Sequence, residues 1–176
     1  RGTFANATAE FGFGGLKAGS ISVADADGDG DTDVLLDGRL FVQDQGKYSA
    51  TEALAVDGDI RSSAFVELNG DRYPDIVCSL REGRLAAFLN PAAPLDERAF
   101  ANATESLNLP EEAAEGTGYF EPNDWDRDGR VDLLYLAGPG YFILNGEDGF
   151  ESIPLGESEE EYDYGRAAMA PIVTAG

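Results

Sequence analysis

Short runs of apolar or alternating residues recur along the chain, separated by loops rich in Gly and Asp. Runs of four to eight residues that are fully apolar, or apolar at every second position, are typical of β-strands and too short for helices. The pattern therefore predicts an all-β fold of short strands joined by tight turns.

The runs belong to a unit that occurs three times. Each unit has an alternating run, an acidic loop, an apolar run, a turn containing Gly, a third run, and a fourth run led by an aromatic residue. The acidic loops are 25–33, 67–75 and 124–132. The leading aromatic residues are Tyr48, Phe100 and Phe150, and Phe4 occupies the same place near the start of the chain.

Four strands per unit, spaced by roughly 40 to 50 residues, are typical of β-propeller blades. We therefore predict β-propeller-type blades of four antiparallel strands in one segment, 1–176. The repeat units are approximately 4–47, 48–99 and 100–149, with the start of a further unit at 150–176. About three repeats fall short of the four to eight blades that usually close a propeller, so we expect an incomplete arc of a larger one. More chain or a partner would then cover its open edges.

Composition excludes several functions. The chain has 12 Lys and Arg against 34 Asp and Glu, a formal charge of −22, which repels nucleic acid and anionic membrane surfaces. No apolar stretch is long enough to insert into a membrane. Histidine is absent, which removes the usual general base and the commonest zinc ligand. The single cysteine, Cys78, lies in an apolar run and is expected to be a small buried hydrophobe.

The first and third acidic loops share the pattern D-x-D-x-D-G-x-x-D. Calcium takes six to eight hard oxygen ligands, and carboxylates at positions 1, 3 and 5 of a tight loop converge on one point. Position 9 offers a closing carboxylate and position 7 a backbone carbonyl. The predicted ligands are Asp25, Asp27, Asp29, Asp31 and Asp33 in the first loop and Asp124, Asp126, Asp128, Arg130 and Asp132 in the third, with Asp31 and Arg130 acting through their carbonyls. A solvated Asp/Gly turn without metal is the alternative.

An EF-hand is the nearest competing motif for these loops. It needs a bidentate Glu at position 12, where this chain has Leu36 and Tyr135. It also needs flanking helices, whereas strand-like runs follow position 9 directly. The sequence therefore favours calcium loops within β-hairpins.

The second loop departs from the pattern and is the candidate for a third calcium site. Its predicted ligands are Glu67, Asn69, Asp71, Asp75 and the backbone carbonyl of Tyr73. Arg72 replaces the turn glycine and places a cation beside the loop. Pairing of that guanidinium with the loop acids is the structural alternative.

The loop pattern, followed by three apolar residues and by Gly-Arg-Leu-Phe at 38–41, resembles the FG-GAP/VCBS repeats of integrin α-like β-propellers, and the resemblance covers about residues 2–173. The Phe-x-Asn-x-Thr stretches at Phe4 and Phe100 resemble the variant of this repeat found beside the ASPIC/UnbV domain. The resemblance implies a propeller made rigid by calcium, in an extracellular, periplasmic or lumenal setting. It also implies adhesion, or binding of proteins or glycans.

Three functions are open at this point. The first is a non-catalytic calcium-binding module for protein or glycan partners. The second is a calcium-dependent polysaccharide lyase or hydrolase, in which paired carboxylates serve as acid and base. The third is a scaffold subunit of a larger assembly, docking through open edges or through the acidic run 157–163, which would suit a basic partner. The Asn-x-Thr sequences at Asn6 and Asn102 are candidate glycosylation sites, and a structural role for their side chains is the alternative.

Overall fold

The computed structural model describes residues 3–51, 54–92, 99–109, 118–137 and 140–155. Its strands in chain order are β1 (Ile21–Ala24), β2 (Asp33–Leu36), β3 (Arg39–Asp44), β4 (Lys47–Thr51), β5 (Ile60–Val66), β6 (Asp75–Leu80), β7 (Leu85–Leu89), β8 (Ala101–Asn102), β9 (Tyr119–Asn123), β10 (Asp132–Leu136), β11 (Tyr141–Gly146) and β12 (Gly149–Pro154). These residues contain no helix, and so none that could cross a membrane.

The strands form three four-stranded antiparallel sheets: sheet 1 (β1–β4), sheet 2 (β5–β8) and sheet 3 (β9–β12). Each sheet is a meander in which consecutive strands pair, which confirms the predicted all-β fold of four-stranded blades. The described residues show three sheets and not a closed propeller. Each sheet unites an acidic loop with the aromatic-led strand that follows it, so the sheets begin one strand later than units counted from the aromatic residues.

Tight turns fix the register within sheet 1. Asp37 and Gly38 join β2 to β3, and Gln45 and Gly46 join β3 to β4, with φ between 45° and 79° at all four positions. Two positive φ angles in a two-residue loop match the twist of a β-hairpin and favour Gly at the second position. The Gly-bearing turns noted in the sequence therefore set which residues face each neighbouring sheet.

Sheet 2 is buried on both of its faces. On β6, Ile76 and Cys78 pack in the core shared with sheet 1, whereas Val77 packs in the core shared with sheet 3. All six residues of β6 are buried. A strand covered on both faces has apolar residues at consecutive positions, as β6 has at Ile76, Val77 and Cys78, whereas β1 alternates. Cys78 is buried as predicted, and burial raises the pKa of its thiol to about 12.

The first strands of neighbouring sheets lie side by side. The Oγ atoms of Ser20 and Ser22 accept hydrogen bonds from the backbone N–H groups of Ser63 and Phe65, each at 3.0 Å. These bonds satisfy donors on the edge of β5, which would otherwise be unpaired. Side-chain hydroxyls, and not backbone strand pairing, therefore connect the first strand of sheet 1 to the first strand of sheet 2.

The aromatic residues that lead the fourth runs differ in burial. Phe100 and Phe150 are buried, while Phe4 is fully exposed and lies outside any strand. The acidic run 157–163 and most of the predicted further unit lie outside the described residues.

Gly118, just before β9, should not tolerate alanine. A Cβ at this position would lie 2.1 Å from the Tyr135 ring, which is fully buried and cannot move away. We expect Gly118→Ala to lower the free energy of unfolding by about 2 to 4 kcal/mol in urea denaturation. The matched control is Gly19→Ala at the corresponding place before β1, where the nearest atoms lie at 3.7 Å or beyond. Equal losses in the two variants would contradict this account of packing.

Candidate functional site

Each acidic loop joins the first and second strands of its sheet. The pairs Ala24 with Asp33, Val66 with Asp75, and Asn123 with Asp132 close the three loops. The fold therefore places the loops at corresponding points of successive sheets, as the repeat predicts.

Two of the loops bring three carboxylates together. In the first loop these belong to Asp25, Asp27 and Asp29, and in the third to Asp124, Asp126 and Asp128. In each set, one oxygen from each residue lies within 4.8 Å of the others. We call these sets triad 1 and triad 3; they are the ligands predicted at positions 1, 3 and 5.

Backbone amides hold the carboxylates of triad 1 in place. Asp25 accepts hydrogen bonds from Gly28 at 2.8 Å and Gly30 at 3.0 Å, and Asp29 accepts one from the amide of Asp31 at 2.8 Å. Triad 3 repeats the bonds to positions 1 and 5 from positions 6 and 7. The loop backbone thus winds around its own acids, so the triads are properties of the folded loop and not of chance proximity.

The winding requires a positive φ at positions 4 and 6 of every loop. Position 4 is Gly28, Gly70 or Arg127, and position 6 is Gly30, Arg72 or Gly129, with φ between 65° and 92°. The pattern shared by the first and third loops has glycine only at position 6, because Arg127 stands at position 4 of the third loop. The two arginines adopt a conformation that disfavours side chains other than Gly and Asn, so the second and third loops are each strained at one position.

The electrostatics of the triads favour a cation. Partial burial raises the pKa of Asp27, and the neighbouring charges of Asp29 and Asp25 raise it further, against an opposing backbone hydrogen bond. In triad 3, Oδ1 of Asp124 is buried and accepts no hydrogen bond in the described structure. A buried carboxylate oxygen without a partner is costly, and a bound cation would supply that partner. The donor set of hard oxygens therefore fits calcium.

The position 9 aspartates lie outside the triads. Asp33, Asp75 and Asp132 are all 0% exposed. One oxygen of each accepts the N–H of loop position 2, at 2.7, 2.9 and 2.8 Å respectively. The other accepts an N–H from the end of the third strand or just beyond it, at 2.8, 2.7 and 2.8 Å. Their predicted part in ligation stays a prediction, and the role that the structure does show is to tie each loop to its own sheet.

Hydrogen bonds within the second loop satisfy its acidic side chains. The Asn69 side chain donates to Asp71 at 3.0 Å, and one oxygen of Glu67 accepts two backbone N–H groups. In the described structure Arg72 forms no ion pair with these acids, so the pairing considered for it is not observed. An amide at position 3 thus supplies a donor where triads 1 and 3 present a third negative charge.

Arg130 competes for an acid of triad 3. Its guanidinium donates to Asp128 and, at 2.5 Å, to the carbonyl of Asn145. A cation at triad 3 would have to share Asp128 with this side chain. Triad 1 has no corresponding arginine, because position 7 there is Asp31.

Two asparagines that the sequence analysis did not identify connect neighbouring sheets. The Asn90 side chain donates to the carbonyl of Ala26, in the acidic loop of sheet 1, at 2.8 Å. Asn145 donates in the same way to Leu68, in the loop of sheet 2, at 3.1 Å. Both carbonyls belong to loop position 2. The sequence does contain a signal for these contacts: an amide residue follows the third run of each unit, and in sheet 1 this residue is Gln43.

Comparison with models of known protein families gives no match to this chain. A search of curated proteins finds no relative that matches it.

Asp75 should make stability depend on pH. Burial raises its pKa to about 6, against hydrogen bonds from Asn90 and Leu68 that lower it. Because the folded-state pKa exceeds the ordinary value of 3.8, the contribution of Asp75 to stability is present below about pH 4 and is lost as the pH rises through 6. In chelator, the free energy of unfolding of the wild type relative to Asp75→Asn should fall by roughly 2 to 3 kcal/mol between pH 4 and 7. A difference that stays constant would contradict the shift.

Replacement of Arg130 should tighten cation binding at triad 3. In a background with Asp27→Ala, which removes triad 1, we expect Arg130→Gln to lower the calcium Kd by about threefold to tenfold in calorimetry, since Asp128 is released. Arg127→Gln removes the same charge from a side chain that forms no ion pair in the described structure. Equal effects of the two variants would indicate general electrostatics instead of competition for Asp128.

Proposed function

We propose that this protein is a calcium-binding β-sheet module that acts by binding a protein or glycan partner, or as a scaffold subunit, and not by catalysis. The observation that carries the proposal is the presence of two carboxylate triads of the same construction at corresponding points of two sheets. Calcium is the cation that suits them, because it accepts many oxygen ligands in flexible geometry, whereas magnesium demands near-ideal octahedral geometry.

A cation in these loops would stabilise the stack of sheets. The loop of sheet 1 contains the carbonyl of Ala26, to which Asn90 of sheet 2 donates. Order imposed on the loop by calcium therefore extends to the contact between sheets. This coupling supports a structural role for the metal.

The resemblance to FG-GAP/VCBS repeats supports the remaining parts of the proposal. It suggests an extracellular, periplasmic or lumenal location and a surface for adhesion or for binding of proteins or glycans. The absence of histidine and the engagement of the loop acids by their own backbone are consistent with a binding function. Calcium ions would offset part of the charge of −22 and lower the repulsion between neighbouring loops.

Calcium titration by calorimetry, with thermal melts in parallel, tests the proposal. We expect two ions per chain and a stabilisation of roughly 5 kcal/mol when both sites are at one hundred times Kd. Asp27→Ala and Asp126→Ala should each lose one ion, because each removes the central carboxylate of a triad. The matched control is Asp148→Ala, an exposed acid in the turn between β11 and β12, which should change nothing.

Two outcomes would refute the proposal in different ways. Unchanged melting in calcium, without measurable binding heat, would leave the acidic loops as solvated turns. Turnover of acidic or neutral glycans that is abolished by substitution of one acid outside the loops would support the lyase or hydrolase hypothesis instead.

A further inference from the structure

Two segments of the chain share both sequence and local geometry. The pentapeptide Phe-Ala-Asn-Ala-Thr stands at 4–8 and again at 100–104. In both copies the Asn Oδ1 accepts the N–H of the Thr at 3.0 Å. In both, the carbonyl of the second Ala accepts an N–H four residues further on, at 3.1 and 3.0 Å. The two Asn side chains therefore have the structural role that the sequence left open for them.

After the pentapeptide, each segment passes onto the face of the sheet that follows it. Phe13 packs against Phe41 and Tyr48 of sheet 1, with ring centroids 5.3 and 4.9 Å apart. At the corresponding place, Leu109 lies in the core between sheets 2 and 3, and Asn108 donates to a carbonyl of β12 at 3.4 Å. The second copy thus leads from the fourth strand of one sheet to the face of the next.

The two copies differ most in the contacts that they make before the chain reaches the next sheet. Residues of the second copy form β8, which pairs with β7, and Phe100 is 4% exposed in the core. The first copy pairs with no strand in the described part of the chain, and Phe4 is fully exposed. The first copy therefore has the pentapeptide and the turn of the second, and its downstream residues also pack on a sheet. What it lacks in the described structure is a neighbouring strand with which to pair.

We propose that residues 3–7 are the fourth strand of a further sheet, and that the partner is a three-stranded antiparallel β-sheet of the same construction. Its third strand has an open edge that pairs with residues 3–7, and its apolar face buries Phe4. A partner of this kind continues the arrangement that the structure contains between sheets 2 and 3.

A second copy of this chain does not fit the role. Its third strands β3, β7 and β11 are already paired with β4, β8 and β12. The net charge of −22 also opposes self-association. The partner is therefore a β-sheet outside the described residues, with an open edge.

The position of Gln43 supports the same surface independently. Asn90 and Asn145 each donate a side-chain amide to the acidic loop of the preceding sheet. Gln43 occupies the corresponding place in sheet 1, where its N–H donates to Asp33 at 2.8 Å. Its side-chain Oε1 accepts the N–H of Gly46 at 2.8 Å, while its Nε2 amino group forms no hydrogen bond in the described structure and is available to the loop of a sheet docked before sheet 1.

A full-length acceptor variant tests whether this segment behaves as a fourth strand. Phe100→Asp with Ala101→Pro removes β8 and leaves the edge of β7 open. A synthetic peptide of residues 1–13 should bind this variant and raise its Tm, whereas the same peptide with Phe4→Asp should not. The wild-type chain, whose β7 is occupied, should not respond. If a peptide of residues 97–109 raises the Tm and the 1–13 peptide does not, the proposal is overturned.

A second measurement can overturn the proposal even if the acceptor variant does not fold. In the isolated wild-type chain, Phe4→Asp should change the Tm by less than about 1 °C, while Phe100→Asp should lower it by roughly 10 °C or more. A comparable loss for Phe4→Asp would show that the strand already has a place within this chain. A dimer that depends on Phe4, seen by light scattering, would make a second copy the occupant and would also overturn the proposal.

Discussion

A buried carboxylate at the end of each acidic loop holds the described structure together. Asp33, Asp75 and Asp132 are fully buried, and each accepts two short backbone hydrogen bonds. For Asp33 and Asp75 these bonds offset only part of the cost of removing the carboxylate from water, since burial still raises the pKa of both groups. One bond closes the loop and the other reaches the end of the third strand. Each aspartate therefore joins three parts of its sheet that are distant in sequence, and loss of the side chain would leave two buried donors without acceptors.

The contacts between sheets depend on this local order. Asn90 and Asn145 receive their positions from the same aspartates, through their backbone N–H groups, and use their side chains to bind the loop of the preceding sheet. Loop closure and sheet stacking are thus coupled through one residue at each junction. A cation in a loop would act on this coupling from the solvent side, where the triads lie.

The three loops share a backbone path but differ in their chemistry. The first has glycine at both positions of positive φ and three carboxylates free of competing cations. The third contains strained Arg127 and the competing guanidinium of Arg130. The second has Asn69 where the others have a carboxylate, and its amide donates a hydrogen bond to Asp71. One repeated backbone path therefore presents three different sets of oxygen donors, and the first holds three carboxylates to which no arginine is paired in the described structure.

Local pattern determined much of this protein. The length of the runs, the Gly-bearing turns and the repeat predicted the strands and their grouping, because strand periodicity and turn chemistry act over a few residues. The D-x-D-x-D spacing likewise predicted the triads, since a loop of nine residues brings its own side chains together.

Only the tertiary structure decided the rest. The burial of Asp75, the bond from Asn90 to Ala26 and the contrast between Phe4 and Phe100 depend on residues far apart in sequence. Identical pentapeptides differ in exposure because one has a neighbouring strand and the other does not, and no local pattern records that difference.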